Sequence, residues 1–314
     1  MRLAVTGAAG FLGHDVARRA LAAPQVTELI AIDRAAPALS GPKLRVVTGD
    51  LRDAAVQSAA TEADAVIHLA AVLGGAAEQD PALAREINID VPLRMIEAMR
   101  GAARPKRFVF ASSIAVLGPE MPDPVTDTAP CDPVMLYGAH KAMIETALAQ
   151  ATRRGWIDGV SLRPSGIVAR DGLDAGLKSA FMSRLFFAAQ RAKPITLPVP
   201  PEARTWMASA TITAENFLRA ALMPDLGPLR SLTLPALAVR FDALVAALDA
   251  AFPGTAARVS FAPDLETTQL FGQFPALETT AATAAGFARD ADLAALVRAA
   301  LPATADTRQP EETP

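Results

Sequence analysis

The stretch Met1-Arg-Leu-Ala-Val-Thr-Gly7-Ala-Ala-Gly10-Phe-Leu-Gly13 decides the fold. Residues 3–6 read as a short buried strand and residues 11–21 as a helix, with Gly7, Gly10 and Gly13 at three-residue spacing between and into them. A strand that breaks into a glycine turn and enters a helix aims free backbone N–H groups, and the positive end of the helix dipole, at one point. That point suits a phosphate, and side chains there would hold a pyrophosphate away. Three glycines alone are a weak signal. The context strengthens it: a second apolar strand at 29–32 ends in Asp33, twenty residues after Gly13, where a dinucleotide fold places the acid for ribose hydroxyls. The competing reading of residues 1–13 is a secretory signal. It fails because Arg2 is the only basic residue, glycines interrupt the apolar stretch, and an amphipathic helix follows.

Working outward, strand and helix patterns alternate. Strands are expected at 43–48 (ending in Gly49-Asp50-Leu51), 65–69 (followed by Ala70-Ala71 and a glycine-containing loop), 107–111 (ending in Ser112-Ser113) and 160–163. Helices are expected at 53–61, 81–100 and 133–153. Alternating βα units imply an α/β fold, a Rossmann-type doubly wound parallel sheet with ligands beyond the carboxyl ends of its strands. Gly7, Asp33, Asp50, Ala70 and Ser113 all fall at such ends. After Pro164 the pattern loosens, with helices expected at 175–192, 211–223, 241–251 and 290–301, a proline-rich extended run at 194–202 and a strand at 231–234. The expected division is a dinucleotide-binding domain at 1–165, to which later segments can return, a smaller C-terminal α/β substrate region at 166–301, and a disordered tail at 302–314.

Composition narrows the function. A chain of 314 residues, half of them hydrophobic, has ample material for a core. A net charge of -3 with scattered Lys and Arg argues against a nucleic-acid partner. No apolar run approaches the ~18 residues of a membrane span. Cys131 is the sole cysteine, so no internal disulfide and no cysteine metal site are possible, and a cytoplasmic setting is expected.

The chemistry falls on Tyr137-Gly-Ala-His-Lys141. Positions i and i+4 share a helix face, so both side chains can reach one point. A phenol with an ordinary pKa of about 10 is a poor base at neutral pH, and a nearby ammonium favours the phenolate. Ser113, at a strand end, can hydrogen-bond the reacting oxygen. In isolation a Tyr and a Lys four apart are a helix surface pair. Here the tyrosine is the only one in the chain and follows a strand-terminal Ser-Ser in a dinucleotide fold, so the functional reading prevails. His14 and His140 read as ordinary helix residues, Asp53 as a helix start, and Cys131 as a loop residue without a partner.

With these residues in place the chain resembles an extended short-chain dehydrogenase/reductase. The family's glycine pattern matches Gly7, Gly10 and Gly13, its Asp-Leu matches Asp50-Leu51, and its His-x-Ala-Ala matches His68, Ala70 and Ala71. Its helix asparagine matches Asn88, its serine Ser113, its Tyr-x-x-x-Lys Tyr137 and Lys141, and its Arg-Pro Arg163-Pro164. The stretches 69–72, 153–159 and 198–206 resemble the D-erythronate dehydrogenase branch, although Gly74 stands where that branch usually has a serine. The resemblance implies Ser113, Tyr137 and Lys141 as catalytic residues and NAD as cofactor. The NAD contacts it implies are Gly7, Gly10, Phe11, Leu12, Gly13, Asp33, Arg34, Asp50, Leu51, Leu69, Ala70, Ala71, Asn88, Tyr137, Lys141, Pro164 and Ile167. It also implies a homodimer through the helices at 81–100 and 133–153; no metal is expected, since nothing in the sequence supports a metal role for His68.

The expected function is therefore NAD-dependent oxidation of a small sugar acid at a 2-hydroxyl. The substrate is expected to contact Ser113, Tyr137, the Gly74 loop and a cation, Arg170 or Arg204, that pairs with its carboxylate. The alternatives are a sugar-nucleotide epimerase or dehydratase using the same Tyr/Lys pair and, from another class, a non-catalytic dinucleotide sensor. The intact Tyr/Lys pair argues against the sensor. Asp33 favours NAD over NADP, because a carboxylate accepts from ribose hydroxyls and repels a 2′-phosphate.

Overall fold

The computed structural model describes residues 1–170 and 178–301. In chain order the strands are β1 (Arg2–Thr6), β2 (Glu28–Asp33), β3 (Leu44–Thr48), β4 (Ala65–His68), β5 (Lys106–Ala111), β6 (Ile157–Arg163), β7 (Gly166–Val168), β8 (Ile195–Leu197), β9 (Arg204–Ser209), β10 (Ser231–Thr233), β11 (Leu237–Arg240) and β12 (Val259–Phe261). The helices that matter for the site are α1 (Phe11–Ala22), α2 (Ala54–Thr61), α3 (Gly74–Gln79), α4 (Pro81–Arg85), α5 (Val91–Met99), α6 (Leu136–Arg153), α7 (Ala180–Gln190) and α8 (Ala210–Leu222).

Among the described residues a seven-stranded sheet runs in the order β10-β6-β5-β4-β1-β2-β3, with every neighbouring pair parallel. Strands β1, β2 and β4 are apolar through their middles because helices cover both faces. One face packs Val5, Leu29 and Val160 against Val16 of α1 and Phe217 of α8. The other packs Ile30, Val66 and Phe108 against Val56 of α2, Met95 of α5 and Ile144 of α6. The strand order reverses at β1, so the crevice between the carboxyl ends of β1 and β4 is the switch point where such sheets bind ligands.

A second core, with Phe181, Leu197, Met207, Phe241 and Leu296, lies under the three-stranded sheet β11-β9-β7 and the β12–β8 pair. Strand β10 returns to the first sheet beside β6, and α8 packs on α1.

Several sequence expectations change. The glycine-containing loop after β4 forms the short helix α3. The helix expected at 81–100 is α4 and α5 joined by a π turn at Glu86–Asp90. The carboxamide of Asn88 in that turn accepts from Val72 N at 2.8 Å and donates to Val72 O at 2.9 Å, tying the helix to the loop after β4. The helix expected from 133 starts at Leu136, where Glu78 accepts the Leu136 N–H at 2.8 Å. The helix expected at 290–301 starts at Leu293, capped by Asp292. Within the helix expected at 175–192, α7 spans Ala180–Gln190, and residues 175–177 lie outside the described residues. The extended run at 194–202 contains β8, whereas β7, β9, β11 and β12 are strands that the periodicity did not predict. The tail at 302–314 also lies outside the described residues.

Candidate active site

A cleft of about 2080 Å³ runs along the carboxyl ends of the strands, from Asp33 and Asp50 at one end to Tyr137, Arg170 and α7 at the other. Its first part is made by the turn between β1 and α1. Gly7 has φ +74°, and a Cβ there would meet Ala70 N at 2.9 Å; a Cβ on Gly13 would lie 1.8 Å from Gly7 O. The turn can therefore close only without side chains at these two positions. Gly10 is the N-cap of α1, and Gly10, Phe11, Leu12 and Gly13 all line the cleft.

Asp33, ending β2, faces this turn. One carboxylate oxygen accepts from Ala9 N at 2.9 Å and the other from Arg34 N at 2.7 Å. Arg34 is exposed and also lines the cleft. Asp50 is held below its usual carboxylate pKa by the Arg52 guanidinium, which forms an ion pair of 2.9 Å with it, and by the Arg52 backbone N–H. Leu51, Leu69, Ala70 and Ala71 complete this wall. Asn88 stands apart: it is buried, its amide is spent on Val72, and it is absent from the cleft lining. It shapes the wall from behind.

The second part of the cleft is built from side chains that have lost their water. Lys141 is 2 % exposed, with Nζ 4.5 Å from the centre of the Phe110 ring and 5.5 Å from that of Tyr137. Burial pulls its pKa down to about 7, and the negative charge of Glu145 opposes that. Burial pushes Tyr137 up to about 12, opposed by a hydrogen bond with Ser113 and by the charge of Arg170. The sequence leads one to expect a lowered Tyr137 pKa, from the Lys141 ammonium with the nicotinamide charge adding to it. Burial reverses the net shift in the protein without ligand, and the opposing groups in the structure are Ser113 and Arg170. Ser113 also caps the 3-10 turn Ile114–Val116, accepting from Ala115 N at 3.1 Å.

His68 lies beneath this pair, 2.8 Å from Thr6 Oγ1 and stacked on Phe110. Burial first, and then the Lys141 charge, push its pKa down to about 3, so it is neutral. Cys131, read as partnerless, accepts from Arg163 Nη2 at 3.2 Å.

The structure separates the two arginines expected at a substrate carboxylate. Arg170 lines the cleft and its charge reaches Tyr137; its backbone N–H is held by Ser183 of α7 at 2.9 Å. Arg204 is exposed at the start of β9, paired with Arg240 of β11, and does not line the cleft. Alternation along β9 explains this, since the cleft-lining neighbour is Thr205. Gly74, Pro164 and Ile167 line the cleft, as does Lys178, which pairs with Glu266. Among the described residues no cluster of His, Cys, Asp or Glu could hold a metal ion.

A parallel sheet with a glycine cradle at the switch point and a Tyr/Lys pair across the cleft defines an extended short-chain dehydrogenase/reductase. The chain belongs to the NAD-dependent epimerase/dehydratase family, whose sequence profile matches residues 3–207. It is 33 % identical over 315 residues to the D-erythronate dehydrogenase of Cupriavidus necator, covering 95 % of this chain and 97 % of that one. To the D-erythronate dehydrogenase of Haemophilus influenzae it is 31 % identical, covering 93 % and 96 %. Among solved structures, a nucleoside-diphosphate-sugar epimerase from Agrobacterium tumefaciens superposes with a TM-score of 0.88 at 28 % identity, covering 96 % and 93 %. The protein is an NAD-dependent enzyme of this type. The site fits the cofactor: the glycine turn closes tightly because Gly7 and Gly13 carry no Cβ, the helix-start residues Phe11, Leu12 and Gly13 line the cleft, and so does the Asp33 carboxylate at the end of β2.

Two residues that hold the site together are not evident from the sequence. Glu78 caps α6 immediately before Tyr137, and Glu145 ties α6 to two strand ends. Glu78 was hidden in a stretch read as loop. Glu145 had a signal, its place one helical turn beyond Lys141, that went unused.

Proposed function

We propose that the protein is a dehydrogenase that oxidises the 2-hydroxyl of a short sugar acid, D-erythronate or a close relative, with NAD. The observation that carries this reading is Arg170, a cation at the same end of the cleft as the only tyrosine, added to end-to-end similarity with two D-erythronate dehydrogenases. NAD, when bound, supplies the hydride acceptor and a cationic ring. Tyr137 takes the proton of the substrate hydroxyl, and Lys141, as ammonium, favours the phenolate that does so. Ser113 donates to the reacting oxygen and fixes its distance from Tyr137. Arg170 holds the substrate carboxylate by paired hydrogen bonds. Gly7, Gly10, Phe11, Leu12, Gly13, Asp33, Arg34, Asp50, Leu51, 69–71, Tyr137, Lys141, Pro164 and Ile167 bind the cofactor, with Asn88 shaping the wall behind them. Within segment 166–301, β7, Lys178 and α7 border the substrate end of the cleft. NAD reduction should be followed across four- to six-carbon sugar acids. Reduction by short 2-hydroxy acids supports the reading; turnover only of nucleotide sugars would replace it with an epimerase or dehydratase.

A homodimer is part of the same proposal. Leu93 of α5, Val134 before α6 and Met143 of α6 are 37 %, 64 % and 54 % exposed, an apolar set on the two helices that a two-fold partner would cover. Light scattering should give twice the chain mass at micromolar concentration; a monomer mass rejects the dimer. A cytoplasmic location agrees with the single free cysteine, and recovery of the protein in another cell fraction would reject it.

A further inference from the structure

Glu145 lies on α6, one turn beyond Lys141 and two beyond Tyr137, and is 5 % exposed. Its Oε1 accepts from Ser112 Oγ at 2.5 Å and from Arg163 Nε at 2.8 Å, and its Oε2 accepts from Arg163 Nη2 at 2.6 Å. Ser112 immediately precedes Ser113 at the end of β5, and Arg163 immediately precedes Pro164 at the end of β6. One buried carboxylate thus bolts the helix that bears Tyr137 and Lys141 to the two strand ends that bear Ser113 and Pro164.

We propose that Glu145 is a positioning residue for the Tyr137/Lys141 pair, fixing Ser113 against Tyr137 through Ser112 and supplying the negative charge that holds Lys141 as an ammonium. The proposal rests on Tyr137 and Lys141 acting as proposed above.

The charges around Lys141 show why Glu145 carries the second role. From α6 it is faced by Tyr137, His140 and Glu145, and from β4 by His68, which is neutral. Arg163 on β6 is ion-paired with Glu145, its Nη2 shared between Glu145 Oε2 and Cys131 Sγ, and the charge of Asp127 also acts on it. Arg170 acts on Tyr137, and Glu78 acts on His140. Glu145 is the charge that opposes the desolvation of Lys141, beside the Phe110 and Tyr137 ring faces. A buried ammonium without a nearby anion gives up its proton. Lys141 as a neutral amine would no longer favour the Tyr137 phenolate.

A purely structural clamp predicts something different. Loss of a clamp lowers kcat/KM by one factor at every pH. Loss of the charge lowers the pH at which Lys141 deprotonates, so the deficit is small at acid pH and grows as pH rises.

The test is Glu145→Gln in the full chain with NAD and the sugar acid that the parent oxidises. The expected result is a deficit in kcat/KM that grows with pH to about tenfold, the equivalent of one pKa unit, with the KM for NAD little changed. Glu145→Asp should restore the shape of the profile. A deficit constant with pH overturns the charge role, and no deficit at any pH overturns the proposal. A second readout needs no substrate. The 13C shift of the Lys141 Cε, assigned by its loss in Lys141→Arg, should titrate near 7 in the parent and about one unit lower in Glu145→Gln. An unmoved midpoint overturns the proposal. A moved midpoint in an enzyme inactive on every sugar acid would instead refute the substrate reading alone. If Glu145→Gln does not fold, Ser112→Ala removes one hydrogen bond and neither charge; it should lower kcat several-fold with the KM for NAD unchanged, and an unchanged kcat overturns the positioning role.

Discussion

At the Gly7–Gly13 end the cleft wall is mostly backbone, whereas at the Tyr137 end it is a knot of ionisable side chains. The first end works by what is missing: Cβ atoms at Gly7 and Gly13 would collide with the backbone of Ala70 and Gly7 and keep the turn from forming, and a backbone turn and one carboxylate line it. The second works by burial. Lys141, His68, Glu145 and Arg163 are each 5 % exposed or less, and Lys141, His68 and Tyr137 have pKa values displaced from their ordinary ones. The difference teaches where each end is vulnerable. Shape controls the cofactor end, so volume changes should break it and pH should not. Charge controls the reacting end, so isosteric changes that alter a proton or a charge should break it while leaving the cofactor bound.

The largest effect should come from Tyr137→Phe, which removes one oxygen and keeps the ring. Turnover should fall by roughly 10²–10⁴-fold, the usual worth of a general base, with NAD affinity by calorimetry preserved. Near-parental turnover would remove Tyr137 from the chemistry. At the opposite end, Asp33→Ala should lower NAD affinity by roughly tenfold to a hundredfold, the worth of hydrogen bonds to a charged acceptor. It should also narrow the preference for NAD over NADP; a parent enzyme that prefers NADP would assign the ribose contact to Arg34. Gly13→Ala adds one methyl group 1.8 Å from Gly7 O and should cost roughly 1–3 kcal/mol of stability by overpacking. It should weaken NAD binding equally at all pH values, and an NAD affinity unchanged from the parent would show that the turn has slack.

A separate effect is a stability slope. The folded pKa of His68 is lowered to about 3, so its contribution is fully present above the unfolded value near 6.5 and is lost as pH falls toward 3. Urea midpoints should fall over that window, and less steeply in His68→Asn. Identical slopes would mean that acid destabilisation comes entirely from carboxylates.

The sequence makes the cofactor end legible because its determinants are local. A strand, a glycine turn and a helix fit in thirteen residues, and the acid of the next strand follows at a set distance. The central sheet strands were legible for a related reason, being apolar runs bounded by polar ends. The reacting end was legible only in part. Tyr137 and Lys141 share a helix face, but the contacts that set their charge come from residues far away in the chain, such as Glu145 with Ser112 and Arg163, or Tyr137 with Arg170. Asn88 was matched by motif to the cofactor, yet its hydrogen bonds go to Val72, a pairing no spacing rule reveals. Arg204 was misjudged because β9 was not read as a strand, and alternation turns it away from the cleft while Thr205 faces in. Strands of three residues, such as β7, β8 and β12, carry too few side chains for a period to emerge.

The proposed function requires that the reacting end be matched to an acid, with Tyr137 as base and Arg170 as the carboxylate's partner. The most direct measurement is kcat/KM with NAD for D-erythronate against the neutral four-carbon polyol of the same configuration, in the parent and in Arg170→Ala. The parent should favour the acid by roughly tenfold to a hundredfold, the worth of a charge-assisted hydrogen bond, and Arg170→Ala should erase most of that preference with NAD affinity unchanged. Equal use of acid and polyol by the parent, or an acid preference that survives Arg170→Ala intact, would contradict it.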